Sequence, residues 1–338
     1  KRRRGGVAVV AWPRGGIMKA IMQRRYGGPE VLGLAEVAAP TLAADEVLIR
    51  VQAVAVSAGD AFIMRGVPSA ARLAFGLRHP KCPTIGRDVA GVVEAVGSAV
   101  TQFRVGDPVY AESDQGGYAE LVTVAGEFVA RRPANIDAIH AAAVVVSGTT
   151  ALQGWRLADV GPGRHVLVNG ASGGVGAFAV QLAKARGAEV TGVCRGAKAE
   201  HVRAIGADHV IDYTAEDFTA GGIRYDVIFD LVADHPLGRL RRSLVPRGTL
   251  VLSSGTGGRV FGPFGRIIRA SLMNPFVSQR LRPLAARRNA DDLAELTRLI
   301  EAGEMTPVVD RTFDLGDAAE AIRQFEAGAV RGKLVLTV

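Results

Sequence analysis

HVLVNGASGGVGAFAVQLAKARGAEVTGVCR, residues 165–195, reads as strand, glycine turn, helix and strand. His165–Asn169 is a short apolar run of the buried-strand type. Gly170, Gly173, Gly174 and Gly176 then crowd into a turn. From Val175 the apolar residues recur at Phe178, Ala179, Leu182 and Ala183, which lie on one helix face. Gly187 follows where a C′ glycine ends a helix. Glu189–Cys194 is β-rich again and completes a βαβ unit of about thirty residues.

Glycines without Cβ let the backbone turn sharply and come close to a pyrophosphate. The first-turn amides of the helix are unpaired, and its positive dipole end receives phosphate oxygens. The unit therefore suits a dinucleotide. Gly170, Gly173 and Gly176 are spaced three apart rather than as G-x-G-x-x-G, so the strand before and the helix after carry the reading. Gly170–Gly174 also matches G-x-S-x-G, the nucleophile elbow of α/β-hydrolases. That chemistry needs a later acid and then a histidine. The histidines after Ser172 are His201, His209 and His235, and none follows them, which disfavours the hydrolase.

Downstream, residues 199–206 read as a short helix, and His209–Tyr213, Asp226–Val232 and Thr249–Ser254 as apolar strands, with a helix over Leu237–Leu244. Continuous apolar strands alternating with helices imply a parallel sheet covered on both faces. Ligands bind at the carboxyl ends of such strands. That puts Gly170–Val175, Cys194-Arg195, Tyr213, Leu231-Val232 and Ser253-Ser254-Gly255 on one rim. Residues 256–290 read as an irregular lid or interface loop. Asp291–Ala302 and Asp317–Ala327 read as amphipathic helices, and Lys333–Val338 as a closing strand.

Upstream the chain is β-rich. Lys19–Gln23 and Val31–Glu36 read as a strand pair. Glu46–Val56, Val89–Val96, Asp107–Glu112, Tyr118–Val124 and Phe128–Arg131 follow with glycine turns between them, as in a small barrel or sandwich. A polar turn begins at Ser57, a usual place for site residues, although Asp60 and Arg65 also fit a helix cap and a solvated charge.

The chain has 338 residues, enough for two domains with separate cores. No apolar run reaches membrane-span length, so no membrane partner is expected. Two cysteines are too few for a disulfide framework, which points to a reducing compartment, the cytoplasm. Five charges of the net +8 sit at Lys1, Arg2, Arg3, Arg4 and Arg14, leaving +3 elsewhere. No clustered basic face is evident in the rest, so a nucleic-acid partner is not expected. Ordered patterning starts after Met18, and residues 1–17 read as a basic extension.

NAD-preferring folds place Asp or Glu about twenty residues past the glycines to hold the ribose 2′-OH. Here that position carries Cys194-Arg195, with Lys198 close behind. A guanidinium is available for a 2′-phosphate, so NADPH is expected over NADH.

GRDVAGVVEAVGSAVTQFRVGDPVY (Gly86–Tyr110), GGYAE (Gly116–Glu120), SGTTA (Ser147–Ala151), NGASGGVG, GADHVIDY (Gly206–Tyr213) and RGKLVLTV (Arg331–Val338) occur in this order. Over residues 19–338 the chain resembles the zinc-independent, ζ-crystallin-like NADPH:quinone oxidoreductases of the medium-chain dehydrogenase/reductase superfamily. The resemblance implies an α/β protein, a GroES-like β-rich catalytic domain plus a Rossmann doubly wound parallel-sheet domain. Expected boundaries are 18–142 for the catalytic domain, 143–281 for the inserted NADPH-binding domain and 282–338 for the return. Zinc-binding members carry Cys three positions before an Asp, and Gly-His-Glu further on; here Ser57 precedes Asp60, and Gly86-Arg87-Asp88 replaces the second motif. Arg is no zinc ligand and Ser is a poor one. Carried over, the family's cofactor positions fall on Ser172, Gly173, Gly174 and Val175 at the pyrophosphate. Arg195, Lys198 and Tyr213 fall near the 2′-phosphate, and Thr149, Ser253 and Lys333 around ring and ribose.

The implied reaction is hydride transfer from NADPH to a quinone or α,β-unsaturated carbonyl, with the developing oxyanion met by a hydroxyl or backbone amide. Ser57, Asp60 and Thr149 are the candidates for that environment, although relatives often carry Asn where Ser57 stands. A 2-enoyl thioester reductase is the alternative within the class. A low-turnover NADPH-binding scaffold or sensor, or a weak RNA binder, is the alternative outside it. A homodimer through the exposed edge of the parallel sheet is expected.

Overall fold

The computed structural model describes residues 16–253 and 264–338. Most of the expected extension, and Ser254-Gly255 of the expected rim, lie outside the described residues. The first strand is Ile17–Gln23, paired antiparallel with Leu32–Ala38. It starts at Ile17, inside the segment read as extension, because Ile17 pairs with Ala38.

One sheet is parallel. Its strands lie in the order His209–Asp212, Glu189–Cys194, His165–Asn169, Tyr225–Asp230, Leu244–Leu252 and Arg280–Pro283. Strand order runs outward in both directions from the neighbours His165–Asn169 and Tyr225–Asp230, so the topological switch lies between them. Val166, Leu167 and Val168 are wholly buried, as strands covered on both faces require. The helix Gly174–Ala185 buries Phe178, Ala179, Leu182 and Ala183 on its inner face. The Trp155 indole donates to the Ala179 carbonyl at 2.8 Å and meets Phe229 edge-on, with ring centroids 5.0 Å apart.

The other sheet is built from distant parts of the chain. Val309–Asp314, Lys333–Thr337, Glu46–Ala55, Asp88–Val96, Pro108–Glu112 and Val129–Arg131 lie in that order, and Leu121–Ala125 also pairs with Glu46–Ala55. Lys333–Thr337 thus closes onto the N-terminal strands, antiparallel to Glu46–Ala55. This is the GroES-like lobe.

Two elements depart from the sequence reading. Ala138–Arg156 is one long helix packed between the lobes, with fourteen of its residues buried. It is apolar on nearly every side and so carries no amphipathic signal. The expected loop over residues 256–290 holds a helix, Phe264–Met273, and an edge strand, Arg280–Pro283. Only Leu281 of that strand is buried, and arginines flank it, so its pattern does not read as a strand.

Candidate active site

A cleft of ≈730 Å³ runs across the carboxyl ends of the parallel strands and into the GroES-like lobe. Among its lining residues are Gly170, Ser172, Gly173, Gly174, Val175, Cys194, Arg195, Tyr213, Leu231, Val232 and Ser253. Every described residue of the predicted rim is therefore on it except Ala171, which is buried beneath.

The glycine turn is shaped by its missing Cβ atoms. Gly170 has φ +93°, which favours glycine. A Cβ on Gly176 would run into the Gly170 carbonyl and lie 2.8 Å from Ala171 Cα. Gly173 is the N-cap of the helix and supplies no side-chain cap, so the first-turn amides have no side-chain acceptor. The turn is held from the other lobe, where the Gly332 amide donates to the Ser172 carbonyl at 2.9 Å.

At the cleft's nucleotide end, the exposed Arg195 guanidinium donates through Nε to Tyr213 Oη at 3.4 Å. Lys198 is placed differently. Its Nζ donates to the carbonyls of Gly328 and Val330 at 2.8 and 2.7 Å. Burial, followed by repulsion from Arg195, lowers its pKa. Its ammonium ties the lobes together, while Arg195 keeps its charge toward the cleft.

At the opposite end Ser57 and Thr149 line the cleft, with Arg87 and Glu112. Thr149 Oγ1 donates back to the Val145 carbonyl at 2.8 Å. Asp60, expected beside the reacting atoms, is instead fully buried behind Ser57 and does not line the cleft. The reason is local. Ser57 and Asp60 form the capping box of the helix Ala58–Arg65. Asp60 Oδ2 accepts from the Ser57 amide at 2.9 Å, from Ser57 Oγ at 3.0 Å and from Tyr118 Oη at 3.2 Å. Lys333 also lies deeper than expected. Its Nζ donates to the buried Asp88 at 2.8 Å, while its stem passes beneath Gly174.

The site residue that sequence reasoning missed is Glu112. Its signal was a carboxylate ending the otherwise apolar strand Pro108–Glu112. Arg87, which in the sequence speaks only against zinc, lines the cleft and pairs with Glu112.

Two carboxyls here titrate high. Burial, reinforced by the neighbouring Asp88, pushes Asp60 up to about 6. Burial pushes Glu112 to about 7, against the opposing pull of Arg87. A carboxyl whose folded pKa is raised holds its proton more tightly in the native state. Its favourable contribution is complete below the ordinary carboxylate range and is lost as pH rises through the folded value. The stability difference between wild type and Asp60→Asn is therefore expected to fall as pH rises from about 4 to about 6. Urea unfolding of both proteins across that window checks it, and a flat difference would contradict it.

Comparison with known proteins agrees with this geometry. The family model of the alcohol dehydrogenase GroES-like domain matches residues 43–134, and that described as zinc-binding dehydrogenase matches residues 205–336. A quinone oxidoreductase of Pseudomonas aeruginosa is 34% identical over 332 residues, spanning 94% of this chain and 99% of that protein. The chain belongs to the zinc-independent quinone oxidoreductase family of the medium-chain dehydrogenases/reductases.

Two further proteins align over nearly the whole of this chain. The chloroplastic NADPH-dependent alkenal/one oxidoreductase of Arabidopsis thaliana is 33% identical, over 94% of this chain and 79% of that protein. The Escherichia coli quinone oxidoreductase, solved in complex with NADPH, superposes with a TM-score of 0.82 at 28% identity, covering 95% of this chain and all of that one. The description of the C-terminal family model names zinc. In this family member, however, Ser57 and an ion-paired Arg87 stand where the zinc-binding dehydrogenases place Cys and His. Among the described residues, no three His, Cys, Asp or Glu side chains gather in a metal-holding group. Nor is any described helix long and apolar enough to cross a membrane.

Proposed function

We propose that the chain is an NADPH-dependent oxidoreductase acting on quinones or α,β-unsaturated carbonyls without a metal. The observation that carries this is one cleft holding both an uncapped helix N-terminus and the Arg195 guanidinium. The residues fit the cofactor. The first-turn amides from Gly174 onward are free for a pyrophosphate, and the Ser172–Val175 turn has no room for larger side chains at Gly174. Arg195 and Tyr213, with Lys198 nearby, would hold the 2′-phosphate. Thr149, Ser253 and the stem of Lys333 would flank the ribose and nicotinamide. When bound, NADPH supplies the hydride for the acceptor.

The chain's own contribution is positioning and charge. The cleft holds the acceptor at its GroES-like end, beside Ser57, whose hydroxyl is oriented by the buried Asp60 carboxylate. Asp60 thus acts through Ser57 rather than on the acceptor. NADPH oxidation measured with a panel of quinones and enones, with and without a metal chelator, tests the reading. Turnover that survives chelation is expected, and its loss on chelation would overturn it.

Arg195→Ala is expected to weaken NADPH about 10- to 100-fold and leave NADH affinity unchanged, since hydrogen bonds to charged groups contribute about 1.5–3 kcal/mol. Competitive titration of the two cofactors decides it, and equal NADPH affinity in both proteins would refute the role.

The proposal extends to organisation. Residues 18–142 and 282–338 form the catalytic domain around a cofactor domain at 143–281, with the last parallel strand reaching Pro283. A second copy would pair across the outer edge of the parallel sheet. The free Cys82 and Cys194 are in keeping with a cytoplasmic setting.

A further inference from the structure

The cleft contains a half-buried ion pair that the mechanism above does not use. Arg87 and Glu112 both line its GroES-like end. Arg87 Nη2 donates to Glu112 Oε1. The Glu112 side chain is 9% exposed and that of Arg87 31%, so the pair is shielded but its cationic member still reaches the cavity. Arg87 Nε is buried and has no hydrogen-bond partner among the described residues. A guanidinium carries five donors in a fixed fork, and this one is far from saturated.

Gly59 shows where the unused donors gather. A Cβ built on Gly59 would lie 3.7 Å from Ser57 Oγ and 3.8 Å from Arg87 Nη1, with no other described side chain within 4 Å beyond its chain neighbours. The absent side chain therefore leaves a small space, bordered by a hydroxyl on one side and a guanidinium on the other. The Ser57 proton is given to Asp60 Oδ2, so the guanidinium is the donor that faces this space, and a fixed cation in a shielded site favours the oxygen on which negative charge develops.

We infer that Arg87, held in place by Glu112, binds the carbonyl oxygen of the acceptor and stabilises its developing negative charge, while Ser57, whose hydroxyl proton is held by Asp60, shapes the wall beside it. The inference rests on the hydride-transfer reading and deepens it by naming the acceptor-binding group. As hydride forms a C–H bond at the β-carbon, the C=C pair shifts toward the carbonyl carbon and the C=O pair moves onto oxygen. That oxygen is where Arg87 donates. The enolate so formed takes a proton from water at the α-carbon; with a quinone, one oxygen takes a proton from water, and the ring carbon then gives its added hydrogen as a proton, through water, to the other oxygen as the ring becomes aromatic. The acceptor is reduced by two electrons and NADPH is oxidised. The substrate class is then a conjugated carbonyl whose oxygen reaches the space beside Gly59. Glu112 acts through Arg87 and is a positioning residue.

The test uses the full chain and a series of para-substituted benzylideneacetones. Arg87→Met is expected to lower kcat by about 10²- to 10³-fold, the usual effect of removing one oxyanion donor. NADPH affinity should stay within about twofold, since the mutated group is at the other end of the cleft. The dependence of log kcat on substituent electron withdrawal should steepen, because electron-poor acceptors need less help from the protein. A merely structural ion pair would not change that slope. Arg87→Met leaves the buried Glu112 without its partner, so Arg87→Met/Glu112→Gln serves as the variant that keeps the fold, and the same loss and slope are expected of it. Variants with near-wild-type kcat, or with an unchanged slope, would overturn the inference alone. A wild-type protein that binds but never oxidises NADPH with any of these acceptors would overturn it together with the reading beneath it.

Discussion

Lys333→Met is expected to lose about 3–5 kcal/mol of folding stability, the range for removing one member of a buried ion pair. The Lys333 side chain is 4% exposed, its partner Asp88 is fully buried, and the two meet at 2.8 Å. Methionine fills the stem's volume, so packing is nearly conserved and charge is what changes. Asp88 would keep one hydrogen bond, from the Val146 amide at 3.1 Å, which does not balance a full negative charge away from water. Lys333 also draws down the pKa of Asp60, already raised to about 6, so its loss drives that carboxyl further up. Lys333→Met/Asp88→Asn removes the stranded charge and is expected to be more stable than Lys333→Met alone. Urea unfolding of the three proteins at neutral pH measures this. Equal losses in the single and double variants would show that the uncompensated carboxylate is not the source.

Gly176→Val is expected to weaken NADPH binding by at least about 10²-fold. Its side chain would meet backbone, namely the Gly170 carbonyl and the Cα and carbonyl carbon of Ala171 at 2.8 and 2.9 Å. Backbone atoms cannot rotate aside as a side-chain terminus can, so the turn must move away from the helix. Overpacking of this kind costs about 1–3 kcal/mol of folding stability; affinity falls because the relieved turn carries the first-turn amides away from the phosphates, each such hydrogen bond contributing about 1.5–3 kcal/mol, with 1.4 kcal/mol corresponding to tenfold. Gly161→Ala is the control, because a Cβ there has open space, and unchanged affinity is expected. Fluorescence titration with NADPH distinguishes the two, and a Gly176→Val protein that binds normally would remove the turn from the cofactor site.

The parallel sheet was legible because each of its inner strands is a short apolar run between glycine punctuation, and the rim followed from strand direction alone. Arg195 was legible for the same reason, since the end of the second strand is a fixed place. The catalytic end was harder. Ser57 and Asp60 stand three apart, and that spacing serves both a reacting centre and a capping box; the structure shows the capping box, with Asp60 behind the wall. Lys333 and Lys198 were placed by strand position, but their ammonium groups turn toward Asp88 and toward the Gly328 and Val330 carbonyls, partners 245 and more than a hundred residues away. Periodicity cannot show such pairings. Glu112 escaped for a related reason. Its meaning depends on Arg87, which stands just before the neighbouring strand Asp88–Val96.

The pairing of Asp88 with Lys333 also has a consequence for biosynthesis. A polypeptide leaving the ribosome presents its carboxylate 245 residues before the ammonium that neutralises it. Until the later segment emerges, the strand Asp88–Val96 cannot be sequestered from water without a large electrostatic penalty. The β-rich lobe, although encoded first, therefore completes its burial last, after the nucleotide-binding sheet inserted within it has been made.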